Sequence, residues 1–157
     1  MRWAIIFNKQ SGSSDQETQQ QVISLFKKKQ IIPDVYFCGG EQTLEQLVQT
    51  AINAGAETIV AAGGDGTISA IVNELLKHPN VRLGVLPLGT FNNFAKTLGI
   101  PLAIEQAVEV LVQGNTIAID VGSVNDRVFI NNSGIGVYPY IVKHREWLQE
   151  QGKSKRV

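Results

Sequence analysis

A short apolar run, Thr58-Ile59-Val60-Ala61-Ala62, empties into Gly63-Gly64-Asp65-Gly66-Thr67, and the chain resumes as Ile68-Ser69-Ala70-Ile71-Val72-Asn73-Glu74-Leu75-Leu76. No other stretch constrains the fold so tightly. The first run reads as a buried strand. The last, with Ile68, Ile71, Val72, Leu75 and Leu76 at helical spacing, reads as a helix. A strand that feeds a helix through three glycines brings backbone N–H groups together with no side chains in the way. The helix dipole adds partial positive charge at the same place. The turn is an anion site in outline.

It is not a Walker A loop, because no Gly-x-x-x-x-Gly-Lys-[Ser/Thr] occurs and no lysine sits near Gly66. Asp65 is the odd member. A carboxylate beside a phosphate repels it unless a cation or its water shell lies between them. The alternative is that Asp65 caps helix N–H groups and the glycines only tighten a turn.

The flanking chain alternates strand and helix. Trp3 to Asn8 reads as a first strand, ending in the polar turn Asn8 to Ser14. A polar helix follows from Gln16 to about Lys29, with Ser14 or Asp15 as its cap and a thin apolar stripe at Val22, Ile23 and Phe26; Ile32-Pro33 ends it. Asp34 to Cys38 reads as a second strand. Leu44, Leu47, Val48, Ala51 and Ile52 form one helical face, opened at Glu41 or Thr43 and closed at Gly55. After the central turn and its helix, stopped by His78-Pro79-Asn80, Arg82 to Leu86 is a further strand, and Leu102 to Val112 a further helix. Such alternation calls for an α/β three-layer sandwich: a mainly parallel sheet with helices on both faces, joined by right-handed crossovers. Ligands in such sheets sit at the carboxyl ends of the strands. That edge collects Asn8 to Ser13, Gly63 to Thr67 and Pro87 to Asn93.

The pattern changes near the C-terminal end. Asn115 to Val124 and Arg127 to Ile135 read as antiparallel strands joined by a turn at Asn125-Asp126. Tyr140 to about Gln151 reads as a basic helix. The division expected is residues 1–137 as an α/β domain and 138–157 as a helix or linker.

Composition narrows the classes of function. The formal net charge of the 157 residues is +0, so no electrostatic footprint for nucleic acid is present. One cysteine, Cys38, excludes an intrachain disulfide and a cysteine-cluster metal site and fits a reducing compartment. No run approaches the roughly 20 apolar residues that span a bilayer. His78 and His144 stand alone in polar contexts and are expected to be solvated.

The second stretch with chemistry is Leu86-Pro87-Leu88-Gly89-Thr90-Phe91-Asn92-Asn93-Phe94-Ala95-Lys96. Thr90 and Asn92 carry short polar groups and Gly89 permits close backbone approach. Alone, it would serve equally well as a turn and helix cap. Paired with the first turn, it resembles the catalytic domain of diacylglycerol kinases and related lipid kinases, a superfamily that also holds sphingosine and NAD kinases. Asn8-x-x-Ser11-Gly12, Leu98-Gly99-Ile100-Pro101 and Phe129-Ile130-Asn131-Asn132-x-Gly134-x-Gly136 resemble further motifs of that family, and Tyr138-Pro139 resembles one subgroup. NAD kinases share the first central motif but not the Pro-x-Gly-Thr-x-Asn-x-Phe-Ala run.

The resemblance implies ATP phosphates on Gly63, Gly64, Gly66 and Thr67, with Asn8, Gly89, Thr90 and Asn92 beside them. It implies that Asp65 is the catalytic carboxylate that organises phosphate and Mg²⁺. Two departures matter. Asn93 stands where the family commonly has an aspartate tied to Mg²⁺ and water, and Ser69-Ala70 stand where it often has Asn-Glu. Asn73-Glu74 comes one helical turn later. No residue here is assigned as a direct metal ligand.

The resemblance also implies a second, mostly β domain that carries the lipid site and the base. The expectation is therefore the ATP-binding part of a cytoplasmic kinase, peripheral to the membrane through that domain, inactive alone, and prone to form a homodimer through apolar surface left uncovered. The alternatives are a kinase of the same fold acting on a soluble acceptor such as NAD, and a nucleotide-binding module without catalysis.

Overall fold

The computed structural model describes residues 1–8, 15–125 and 127–131. Four parallel strands form the sheet, β1 (Trp3–Asn8), β2 (Asp34–Cys38), β3 (Thr58–Gly63) and β4 (Arg82–Pro87), in the order β2-β1-β3-β4. Between and after them come α1 (Gln16–Lys28), α2 (Leu44–Asn53), α3 (Asp65–Leu75), α4 (Asn93–Thr97) and α5 (Ile104–Gln113). A separate antiparallel pair, β5 (Gly122–Val124) and β6 (Arg127–Phe129), follows.

The central strands are apolar at nearly every position because both faces of the sheet are covered. Ala4, Ile6, Ile59 and Ala61 point to one face, where they meet Leu47, Val48 and Ala51 of α2 and Ile68, Ile71 and Val72 of α3. Trp3, Ile5, Phe7, Val60 and Ala62 point to the other, where Val22 and Phe26 of α1 and Ala107 and Val108 of α5 close over them. Three layers result, as the alternation of elements requires. The thin stripe of α1 is enough: Val22 and Phe26 are both fully buried.

Strand order reverses between β1 and β3. From β1 the chain steps to β2 on one side, then crosses to β3 on the other and on to β4. Register keeps the carboxyl ends abreast, with Phe7 opposite Ala62 and Gly63 opposite Pro87. A crevice at such a reversal is where α/β sheets hold ligands.

Several expectations needed correction. α3 begins at Asp65, not Ile68. α1 has the expected extent, but what closes it ahead of Pro33 is a Schellman turn with Gln30 at φ 63°, the Ile31 N–H donating to the Phe26 carbonyl and the Gln30 N–H to the Lys27 carbonyl. The expected strand from Asn115 shrinks to Gly122–Val124, residues 115–121 having no regular structure. The strand from Arg127 ends at Phe129, and its expected continuation to Ile135 lies outside the described residues from 132 on. The expected antiparallel addition is present as this separate two-stranded pair, which packs on α3. His78 is half-buried rather than solvated. Ser11-Gly12, Asn132, Gly134, Gly136, Tyr138-Pro139, His144 and the basic helix lie outside the described residues, and with them the expected boundary at 137.

Candidate functional site

The carboxyl end of β3 delivers Gly63, and Gly64 becomes the N-cap of α3. Gly64 offers no side chain, and among the described residues no other side chain caps the helix. The first intrahelical bond runs from the Ile68 N–H to the Gly64 carbonyl at 3.1 Å. The N–H groups of Asp65, Gly66 and Thr67 lie ahead of it, in the first turn, where helices leave donors open and carry partial positive charge.

The glycines of this turn do not serve positive φ; none of Gly63, Gly64, Gly66 or Gly89 is in the left-handed region. They serve closeness. A Cβ on Gly63 would stand 2.6 Å from the Thr67 hydroxyl. A Cβ on Gly64 would stand 3.1 Å from the Gly89 Cα, and one on Gly89 would collide with the Gly64 backbone. The two glycine turns, 25 residues apart in number, are packed backbone on backbone. The Leu88 N–H also donates to the Gly63 carbonyl at 3.1 Å. Gly66 is different: a Cβ there would meet nothing within 4 Å. Among the described residues its missing side chain answers to no neighbour.

Thr67 lies in the first turn of α3, buried, and its hydroxyl accepts from the Asn8 Nδ2 at 2.9 Å. That bond spans the strand reversal, from the end of β1 to the helix after β3. The Asn8 residue singled out in the sequence is therefore part of the same cluster as Thr67.

Asp65 does something the sequence did not foretell. It is the first residue of α3, but its carboxylate caps α4: Oδ2 accepts the Asn93 N–H at 3.0 Å and Oδ1 the Phe94 N–H at 2.9 Å. Oδ1 also accepts from the Asn131 Nδ2 at 3.2 Å. Partial burial alone would raise the Asp65 pKa. The N–H groups of Phe94 and Asn93, the Asn131 amide and the charge of Lys96 outweigh it, and the carboxyl is held below its ordinary value.

Asn92 also turns inward. It sits in the left-handed region at φ 52°, and it is buried. Its Oδ1 accepts the Gly89 N–H at 2.9 Å, and its Nδ2 donates to the carbonyls of Gly89 at 2.8 Å and Pro87 at 3.2 Å. These bonds shape the second turn from within. Thr90 and Phe91 stand exposed at its tip, Phe91 at 64%.

Two residues near the site carried no expected role there. Asn73 holds Val128 of β6, and Asn131 reaches Asp65. Glu74, the acidic residue after Asn73, pairs instead with Lys77 at 2.8 Å. The strand end from Phe129 to Asn131 had a motif but no partner in sequence, and the partner lies 66 residues earlier.

Comparison with known proteins agrees with this geometry. The family model described as the diacylglycerol kinase catalytic domain matches residues 2–124. A diacylglycerol kinase of Staphylococcus carnosus (strain TM300) is 39% identical over 93 residues, 59% of this chain and 30% of that protein. One of Staphylococcus aureus (strain JH9) is 41% identical over 93 residues, 59% of this chain and 29% of its own. A crystal structure of a diacylglycerol kinase from Bacillus anthracis str. Sterne superposes with a TM-score of 0.70 at 24% identity, over 82% of this chain and 49% of that one. The matched part is thus under a third of these curated relatives and about half of the solved structure. With the matched segment spanning the sheet, both glycine turns and α5, the chain belongs to the diacylglycerol kinase catalytic domain family.

Proposed function

We propose that this chain is the nucleotide-binding part of an ATP-dependent kinase that phosphorylates a lipid hydroxyl, diacylglycerol-like in kind. The observation that carries the proposal is the start of α3. Among the described residues it has no side-chain cap, lies at the strand reversal, and opens at Gly66 onto space that none of their atoms fills. ATP phosphates fit there, on the N–H groups of Asp65, Gly66 and Thr67, with the Thr67 hydroxyl and Asn8 beside them. Gly63, Gly64 and Gly89 let the two turns meet, and Thr90 flanks the opening.

The reaction in this reading is attack of the lipid hydroxyl oxygen on the γ-phosphorus as the bond to the β,γ-bridging oxygen breaks, giving a lipid phosphate and ADP. The chain's own part is to bind and orient the phosphates with fixed backbone donors. Asp65 keeps the place of catalytic carboxylate while its two oxygens close α4. We assign the acceptor site and the base to the part of the relatives that this chain does not span.

Among the described residues no three His, Cys, Asp or Glu side chains gather to hold a metal. Mg²⁺ would enter in this reading as a companion of the phosphates, with Asp65 the carboxylate of the turn available to help hold it. Bound there, it would neutralise charge on the transferring group. A diacylglycerol-like acceptor puts the working protein at the cytoplasmic face of a membrane. No helix among the described residues is long and apolar enough to cross one.

Calorimetric titration of the chain with ATP and ADP in Mg²⁺ tests the first part. Saturable binding that weakens about tenfold in Thr67→Val, a loss of roughly 1.4 kcal/mol, supports it; no binding at millimolar nucleotide overturns it. Transfer of labelled γ-phosphate to diacylglycerol in mixed micelles, against transfer to NAD, tests the acceptor in the complete protein.

A further inference from the structure

Asn73 does from a helix what a neighbouring strand would do. Its Oδ1 accepts the Val128 N–H at 2.9 Å and its Nδ2 donates to the Val128 carbonyl at 3.0 Å. The second Nδ2 hydrogen goes to the Ser69 carbonyl, one turn back, at 2.8 Å. Every polar group of the amide is used. β6 pairs with β5 on one edge, and on the other edge a single side chain takes the place of a strand partner.

The direction of β6 matters. Val128 sits at Asn73 and Asn131 sits at Asp65. Along α3 those two anchor points are separated by about 12 Å, at roughly 1.5 Å per residue. From Val128 to Asn131 the chain, in strand as far as Phe129 and bent at Ile130 and Asn131, can reach at most about 10 Å, at roughly 3.3 Å per residue. The strand runs back towards the start of α3, and its length suits the span. A shift of one residue at Val128 would turn the side chains of β6 to the other face and carry Asn131 off Asp65.

We infer that Asn73 is a positioning residue for the glycine turn: by pairing both backbone groups of Val128 it sets the register that places Asn131 on Asp65, and so steadies the carboxylate that joins the two glycine turns. The functional meaning of this device rests on the turn being the nucleotide site. The relay itself is a matter of hydrogen bonds, and it can be read without nucleotide. The rival reading is that Asn73 only staples β6 to the body of the domain.

Amide hydrogen exchange on the full chain separates the two. The Asn93 and Phe94 N–H groups donate to Asp65 and lie on a different element from Asn73. Asn73→Ala and Asn131→Ala should each speed exchange at Asn93 and Phe94 about threefold or more, the scale expected for losing one anchoring hydrogen bond. The double variant should exceed the larger single effect by little, because both act through one contact. The amides of Ile5 and Val60 in the central strands should keep their rates and serve as the reference. Faster exchange confined to Val128 and its neighbours, with Asn93 and Phe94 unchanged in Asn73→Ala, would overturn the inference. So would additive effects in the double variant. If Asn73→Ala does not fold, Asn73→Asp keeps the acceptor for the Val128 N–H, loses the donor, and is judged by the same amides. A chain that binds no ATP would still give this exchange pattern, so the two proposals fail separately.

Discussion

The Asp65 carboxylate accepts the Phe94 N–H at 2.9 Å, so the first residue of one helix caps another. α3 goes without such a cap: its N-cap is a glycine and no side chain among the described residues takes its place. One carboxylate thus closes the short helix α4 and leaves the start of α3 open. The arrangement also explains how an acidic residue can belong to a turn proposed to bind phosphate. Its negative charge is directed at the donors of α4, and the N–H groups of Asp65, Gly66 and Thr67 keep their positive end free of it.

Asp65→Asn should therefore cost stability. The substituted amide offers one acceptor where the carboxylate offers two, and its NH₂ faces a backbone donor. A loss of about 1–3 kcal/mol is expected for a partly buried donor left unpaired. The pH dependence has a definite sign. The folded-state pKa of Asp65 is lowered, by the N–H groups and the Asn131 amide acting against burial. Its contribution is complete above the unfolded-state value and fades as pH falls through the lower folded value. Urea unfolding between pH 7 and pH 3 should show the gap between parent and Asp65→Asn closing at the acid end. A gap independent of pH would mean that the charge is not what holds α4.

The glycines make opposed predictions. Gly89→Ala drives a Cβ into the Gly64 backbone, which cannot move without parting the two turns. Stability should fall by about 1–3 kcal/mol, as for other overpacking changes, with nucleotide affinity falling alongside. Gly66→Ala meets nothing within 4 Å among the described residues and replaces a poor helix former by a good one. Its melting temperature should hold or rise slightly while ATP affinity drops, because the new methyl group occupies the space proposed for phosphate. Thermal melts paired with calorimetric titration of both variants decide this.

The layers were legible in the sequence because periodicity reports burial, and burial decides layers. Ile68, Ile71, Val72 and Leu75 at helical spacing, and the unbroken run from Ile59 to Ala62, could fold in few other ways. The glycine turn between β3 and α3 was legible for the same local reason. What sequence did not disclose is what depends on distant pairing. Nothing near Asp65 in sequence shows that its partners are Asn93, Phe94 and Asn131. Nothing near Gly64 shows that its glycine identity answers to Gly89. Asn92 looked like a residue offered to a ligand, because a short polar side chain in a loop looks the same whether it faces out or binds its own backbone. The strand expected from Asn115 fails because residues 115–121 lack the ladder that alternating apolar residues such as Ile117 and Ile119 suggested; Ile117 is 68% exposed.

Thr67→Val keeps the shape of the side chain and removes its hydroxyl. The Asn8 Nδ2 then loses the acceptor it has at 2.9 Å. A net hydrogen bond is worth about 0.5–1.5 kcal/mol, so a modest loss of stability is expected, visible as a shift of the urea midpoint with unchanged slope. Asn8→Ala should cost a similar amount. The double variant should cost less than the sum, since both remove the same contact. Strict additivity would show that the bond across the strand reversal contributes nothing.

Asn93 offers the sharpest test of how metal enters. Its backbone N–H donates to Asp65 Oδ2 at 3.0 Å, and its side chain is exposed. Asn93→Asp would set a second carboxylate next to the first, at the start of α4. Two like charges in such proximity favour a bound cation, and hard divalent ions take oxygen ligands of this kind. The parent chain, without nucleotide, should melt at the same temperature with and without millimolar Mg²⁺. Asn93→Asp should gain stability on adding Mg²⁺, by about 2.7 kcal/mol if the ion is present at a hundred times its dissociation constant. With ATP present the parent should acquire a Mg²⁺ dependence of its own, since the proposed route brings the ion in on the phosphates. A nucleotide-free parent that is stabilised by Mg²⁺ as strongly as Asn93→Asp would show that the protein holds the ion unaided, contrary to that route.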